Sequence, residues 1–310
     1  MSKTLNKRTV AILKIRAKVL DAARFWLKQN EYIEVHGPTI MPAVGDWPSS
    51  FEIKHFGQKA YLAQGLQPYD TAFVASLGKV YTIAPTFRAE KLDTQRHLTE
   101  YWRIEVAQKA KLATMIQSEE ELVANICQNL SKEPAETLSR FSRSAKDLEK
   151  VKPPFPRLTY DEAVNTLQKD GFAIVWGQKI SWQMEKHLSN KFKIPFFITK
   201  FPMSIETYFH ETDPEAPELT LSADLIAPEG YGELSSGAQR ITEKKALSKK
   251  MTEEDLDPED QEWYLNFMQS KAYLHSGFSI GLERLVQWIC HLSKIEKATA
   301  FPRVCNNIYP

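Results

Sequence analysis

Residues 85 to 105 read PTFRAEKLDTQRHLTEYWRIE, a run in which three arginines, a histidine and three glutamates are packed close to Tyr101 and Trp102. A surface helix carrying so many charges would gather them on one face and return an apolar residue every three or four positions. This run has no such period. The strand-like KVYTIAPTFRAE leads into it. Further strand-like pieces follow in PFFITKFP, LTLSADLIAP, YGELSSGAQR and SGFSIG, with helical stretches of unequal length between them. Without a regular strand–helix alternation, the pattern favours an α+β fold, an antiparallel sheet flanked by helices, over a doubly wound parallel sheet.

The remaining elements fit that frame. Residues 8–29 are an amphipathic helix running into the extended segment EYIEVHGPTI, and FEIKHFGQKAYLAQ is a hairpin turning near Gly57. PYDTAFVASLG is a short helix stopped by Gly78, and residues 110–130 form a longer one. A basic, proline-bearing connector, KDLEKVKPPFPR, precedes a helix that begins after Thr159 and stops at Gly171. The charged segment from Ile241 to Leu274 reads as helix with a solvated face, and SGFSIGLERLVQWICHL as a strand followed by a helix.

With 310 residues, 43% of them hydrophobic, the chain can bury a full-sized core, as one large domain or two smaller ones. The formal charge of +1 gives no global basic field, which leaves a tRNA partner neither supported nor excluded. Cys127, Cys290 and Cys305 have neither paired nor CxxC spacing, which argues against a disulfide framework and a zinc site. His55, His187, His210 and His291 likewise lack metal-ligand spacing. The basic N-terminus lacks the apolar core of a signal peptide, and no run is long enough to cross a membrane. The expected location is the cytoplasm.

Arg88 in FRAE, Arg240 in SSGAQR and Arg284 in GLER each follow an extended or glycine-rich run. Taken singly, each could be a surface ion pair. Together they suit a polyanion such as a triphosphate, because a guanidinium bonds oxygens in pairs and stays charged when desolvated. Asp224 and Glu233 fall in successive predicted strands, and one or two carboxylates plus substrate phosphates are the usual Mg²⁺ ligands. GFSIGLER is neither a GxGxxG nor a P-loop sequence, and the kinase signature set is missing, so ATP must be bound another way.

PTFRAEKLDTQRHLTEYWRIE resembles motif 2 of the class II aminoacyl-tRNA synthetases of the aspartate/asparagine subgroup, FRAE followed by a loop and RHL-x-EF. GFSIGLERLVQWICHLSKIEKATAFPR resembles motif 3, and EYIEVHGPTI motif 1. YLAQGLQPY and YGELSSGAQR match intervening family patterns, while FPRLTYDEAVNTLQKDGFAIVWG is similar to asparaginyl-type enzymes, so the resemblance covers nearly the whole chain. It implies a single catalytic domain over residues 1–310, a homodimer joined through motif 1, and ATP with Mg²⁺ as the reagents that activate an amino acid of the asparagine or aspartate type. Arg88 and Arg284 would be the catalytic arginines. ATP would be bound by Arg88, Glu90, Arg96, His97, Tyr101, Glu233 and Arg284, with Tyr101 and Arg284 sandwiching adenine and Arg96 and His97 reaching the γ-phosphate end. Asp224 and Glu233 would hold the metal. Gln64, Gln67, Asp70, Glu105 and Arg240 would form the amino-acid pocket, Glu105 taking the α-ammonium and Arg240 meeting the side chain.

Three departures stand out. Motif 1 begins near residue 31, so the anticodon-reading domain that precedes this core in tRNA-charging enzymes is expected to be absent; either tRNA recognition is reduced to the acceptor end, or tRNA is not the substrate. Asp70 stands where aspartate-specific relatives have lysine; facing inward, it would repel a substrate carboxylate and favour a neutral or cationic side chain. The mobile loop is PAVGDWPSS, in which Asp46, Trp47 and Pro48 suggest a reshaped lid, and Gly65 replaces a family serine. The leading expectation is an asparaginyl-type adenylate-forming ligase that transfers its product to tRNA or another acceptor. Its alternatives are an asparagine synthetase, in which ammonia captures aspartyl-adenylate, and a non-catalytic ATP, amino-acid or tRNA binding regulator. His275 matches a family histidine and is equally open to a structural hydrogen-bonding role, and Trp102 and Trp176 are expected to lie in the core or a pocket wall.

Overall fold

The computed structural model describes residues 5–42, 49–91, 94, 96–254, 256, 262–271 and 273–309. Asn6 caps the first helix, α1 (Lys7–Gln29), accepting from the Thr9 amide at 2.8 Å. Ile12, Ile15, Val19, Ala22, Ala23 and Leu27 recur at helical spacing and are buried. After β1 (Ile33–Glu34) and β2 (Ile40–Met41) comes the hairpin of β3 (Glu52–His55) and β4 (Gln58–Leu62). Gly57, at φ 89°, allows its tight turn. α2 (Tyr69–Leu77) stops at Gly78, and β5 (Lys79–Phe87) and β6 (Glu100–Gln108) then bracket the charged turn. α3 (Leu112–Ser131), α4 (Ala135–Ser139) and α5 (Ala145–Glu149) lead to β7 (Arg157–Thr159), α6 (Tyr160–Lys169), α7 (Trp182–Ser189) and β8 (Phe196–Thr199). The rest is β9 (Thr212–Asp213), β10 (Ala216–Thr220), β11 (Ser222–Ala227), β12 (Gly232–Gln239), α8 (Lys244–Glu253), α9 (Glu262–Lys271), β13 (Ser276–Gly281) and α10 (Leu282–Ile289).

The main sheet has the order β1-β5-β6-β13-β12-β11-β8-β7. Its centre is antiparallel as expected, but the edge strands β1 and β7 pair in parallel with β5 and β8, so the sheet is mixed. A parallel pair needs a crossover, supplied by the α2 segment at one edge and by α6 and α7 at the other. Two further expectations are corrected. LTLSADLIAP contains two strands, β10 pairing with β9 outside the main sheet, and the charged segment after Ile241 contains two helices, α8 and α9.

Helices α1, α3 and α10 cover one face of the sheet in a single core that includes Val19, Ile104, Val106, Ile126, Leu234, Ile280 and Val286. Side chains alternate along a strand. Ile104 and Val106 of β6 therefore face the helices, while Tyr101, Arg103 and Glu105 point to the opposite face. On β12 a register shift opposite Leu225 and Ile226 leaves Leu234 without a paired partner. This bulge puts Glu233 and Ser236, three residues apart, on one face, opposite Ile226 and Asp224 respectively. Ser235 is turned toward α3, where it meets Glu119.

Candidate active site

The open face of the sheet carries a cavity of about 340 Å³ lined by residues of β6, β11, β12, β13, α7 and α10 and by the turn after β5. Arg88, Glu90, Arg96, His97, Tyr101, Asp224, Glu233 and Arg284 all line it, so the expected nucleotide and metal residues are brought together. Arg88 Nη1 donates to Glu90 Oε1 at 3.0 Å. Arg284 Nη1 donates to the Glu233 carbonyl at 3.1 Å and pairs with its carboxylate at 3.2 Å. His97 Nδ1 is hydrogen-bonded to the Thr94 hydroxyl, and burial followed by the Arg284 charge lowers its imidazole pKa.

Arg96 lines the cavity but is already engaged. Nη1 pairs with Glu185 at 2.8 Å, Nη2 donates to the Glu233 carbonyl at 3.2 Å, and the guanidinium lies 4.3 Å from the Trp182 ring centroid. Among the described residues, the buried Arg88 Nε, Arg96 Nε and Ser279 Oγ have no hydrogen-bond partner, although such groups are normally satisfied. Unpaired donors along a cationic wall suit a phosphate-bearing ligand.

The carboxylates opposite are unequal. Burial and the neighbouring Glu233 and Glu206 push Asp224 well above the usual carboxylate range. Burial opposes ionisation of Glu233 too, but Arg284, Arg96 and Arg88 together hold its pKa down to about 2. A divalent cation would relieve the repulsion on Asp224, and the pair suits one that arrives with phosphates. Among the described residues, no three His, Cys, Asp or Glu side chains are grouped to hold a metal by themselves.

The amino-acid residues form a second cluster, outside the lining of that cavity. Glu105 Oε2 accepts from the Leu66 amide at 3.0 Å. A Cβ at Gly65 would lie 2.8 Å from that oxygen, so the missing side chain is what lets the carboxylate in. Burial raises the Glu105 carboxyl against the pull of Arg103. Asp70 is buried and faces inward, with Oδ1 accepting from the Thr71 amide at 2.8 Å; it acts on buried Arg240 more strongly than Tyr264 or Glu105 does. Arg240 lies 5.0 Å from the Phe209 ring centroid and donates to the Gly277 carbonyl at 3.4 Å. Both His275 ring nitrogens are engaged, Nδ1 with the Tyr273 carbonyl at 2.9 Å and Nε2 with Thr71 Oγ1 at 3.2 Å.

The Gln64 amide meets Ser49, donating to its carbonyl at 3.0 Å and its hydroxyl at 2.9 Å. Gln67 is half-buried and, like Asp70, Glu105 and Arg240, lies outside the lining of the nucleotide cavity. Trp102 and Trp176 are not core or pocket wall: they are 39% and 46% exposed, Trp102 on the opposite face of β6 from Tyr101 and Trp176 held by Asp161 at 2.6 Å. Asp46, Trp47 and Pro48 of the proposed lid lie outside the described residues. Sequence reasoning also missed Arg103, Glu185 and Trp182. Arg103 was discoverable by its strand period from Tyr101 and Glu105, whereas nothing local marks Glu185, 89 residues from its partner.

A family profile described as tRNA synthetases class II (D, K and N) matches residues 1–305. The chain belongs to the class II aminoacyl-tRNA synthetases. This synthetase is 39% identical over 307 residues to the asparagine–tRNA ligase of Thermococcus gammatolerans and 40% identical over 305 residues to that of Desulforamulus reducens. Each alignment covers 98% of this chain and 71% of the relative. The crystal structure of asparaginyl-tRNA synthetase from Pyrococcus horikoshii complexed with asparaginyl-adenylate superposes with a TM-score of 0.95 at 37% identity, over 98% of the synthetase and 70% of that chain. The synthetase is accordingly a ligase of the adenylate-forming type, and ATP is its co-substrate.

Proposed function

We propose that this synthetase activates asparagine with ATP to asparaginyl-adenylate and transfers the asparaginyl group to tRNA. The observation that carries the reading is the juxtaposition of a cationic wall built on Arg88 and Arg284 with a pocket in which Asp70, Glu105 and Arg240 balance one another. The asparaginyl-adenylate complex of the Pyrococcus relative supports it.

In this reading a carboxylate oxygen of the amino acid attacks the α-phosphorus as the bond to pyrophosphate breaks. Arg88 meets the charge that develops on the α-phosphate, and the chain acts by positioning and electrostatics. Tyr101 and Arg284 flank adenine. Arg96, with its Glu185 partner, and His97 line the γ-phosphate end, and Glu90 steers Arg88. Glu105 takes the α-ammonium, Arg240 donates to the side-chain carbonyl, and Asp70 accepts from the side-chain amide nitrogen. Aspartate in place of asparagine would set a carboxylate against Asp70, which opposes the ammonia-dependent alternative. Asp224 and Glu233 would hold Mg²⁺, which would screen the phosphates in the reaction.

The same proposal includes a two-fold dimer through the motif 1 region, where Phe25 of α1, Ile33 of β1 and Ile40 of β2 leave large apolar side chains exposed. It takes the chain as one catalytic domain. Among the described residues no helix is long and apolar enough to cross a membrane. The cytoplasmic assignment rests on the three cysteines, all free. ATP–pyrophosphate exchange tests the reaction: asparagine should support it, aspartate should not, and the reverse preference would overturn the reading.

A further inference from the structure

Arg103 has a place in both halves of the site. From the wall of the cavity, its Nη2 donates to the Tyr101 hydroxyl at 2.9 Å and its Cζ lies 5.3 Å from the Tyr101 ring centroid. Its Nη1 donates to the Gln64 carbonyl at 3.0 Å. Two residues further along the chain from Gln64, the Leu66 amide holds Glu105, and Arg103 is also the leading charge acting on that carboxylate. Tyr101, Arg103 and Glu105 share one face of β6 by strand alternation. Only a guanidinium has the planar fork to serve two acceptors in different directions while staying charged when desolvated. The hydroxyl of Tyr101, which the motif's usual phenylalanine would lack, thereby has a defined partner.

We propose that Arg103 is a positioning residue that orients the Tyr101 ring for the nucleotide and the Gln64–Leu66 backbone, with Glu105, for the amino acid. The inference rests on the proposed placement of adenine at Tyr101 and of the α-ammonium at Glu105. Removing the fork should therefore weaken both ligands. Removing the Tyr101 hydroxyl should weaken ATP alone, and the two changes should not add for ATP.

The test is calorimetric titration of ATP and, separately, asparagine into the wild-type protein, Arg103→Met, Tyr101→Phe and the double variant. Arg103→Met is expected to weaken each ligand about tenfold, and Tyr101→Phe to weaken ATP about threefold with asparagine unchanged. The double variant should bind ATP no more weakly than Arg103→Met, as expected for two residues acting through one contact. Arg103→Met losses confined to one ligand, or multiplying ATP losses in the double variant, would overturn the proposal. Should Arg103→Met not fold, Arg103→Lys keeps the charge beside Glu105 without the fork; an ATP affinity equal to wild type would then overturn it, and a loss that Tyr101→Phe does not deepen would support it. A wild-type protein that binds ATP but not asparagine would overturn the substrate assignment alone, because the ATP cycle still decides the role of Arg103. Wild-type protein that binds no ATP would overturn both.

Discussion

The nucleotide and amino-acid halves of the site manage charge in opposite ways. On the nucleotide side the guanidiniums of Arg88 and Arg284 line an open cavity and are balanced only in part, by Glu90 and Glu233. On the amino-acid side Asp70 and Arg240 are buried, and Glu105 is wedged against Gly65. A triphosphate carries several charges and can be gripped by any set of forked cations. A small amino acid has to be told from its isosteres, which requires desolvated groups that are left unpaired by the wrong ligand. One half is therefore built for attraction and the other for discrimination.

The sharpest way to break that contrast is Arg88→Ala. Losing a donor aimed at developing charge should lower exchange by about a thousandfold, roughly 4 kcal/mol, for every amino acid alike. A loss that depended on the amino acid would show that the halves are not separate.

A control away from both halves comes next. Burial beneath the sheet pushes the Glu119 carboxyl up to about 8. Because its folded pKa lies above the unfolded value, stability falls as pH rises from about 4.5 toward 8, and at pH 7 the carboxyl costs about 3 kcal/mol. Glu119→Gln should remove that dependence. Its melting temperature should rise relative to wild type as pH increases through that window, with the KM for ATP and asparagine unchanged; a gap independent of pH would rule out the buried acid as its cause.

Glu105→Gln should raise the KM for asparagine about thirtyfold by removing the charge that meets the ammonium, while the KM for ATP stays put. Steady-state exchange at varied asparagine and then varied ATP separates the two. The mildest test is Gly65→Ala, whose new methyl would press on Glu105 Oε2 from 2.8 Å. About a tenfold rise in the KM for asparagine alone is expected. An unchanged value would mean that Glu105 can shift without cost.

Legibility in the sequence divided along similar lines. Arg88, Glu105, Arg240 and Arg284 sit in short, dense motifs on or beside strands, so local pattern located them. Arg103 was equally local and could have been found from the two-residue period it shares with Tyr101 and Glu105. For Gln64 the motif position identified the residue but not the direction of its side chain, whose amide meets Ser49. The edge strands were read as antiparallel because pairing direction depends on the path of the connecting segments.

By itself, the sequence determined the class of fold, the order of the three motifs and the charges offered to each ligand, since these depend on local periodicity and residue chemistry. Tertiary structure alone decided which charges meet. The bulge at Leu234 breaks strand alternation and turns Glu233 to the face of Asp224, which strict alternation from Ser236 would deny it. Arg96 is claimed by Glu185 from a helix 89 residues away, and Arg240, just past the end of β12, comes under the charge of Asp70 in α2. Such pairings follow from how distant segments pack, and no local pattern encodes them.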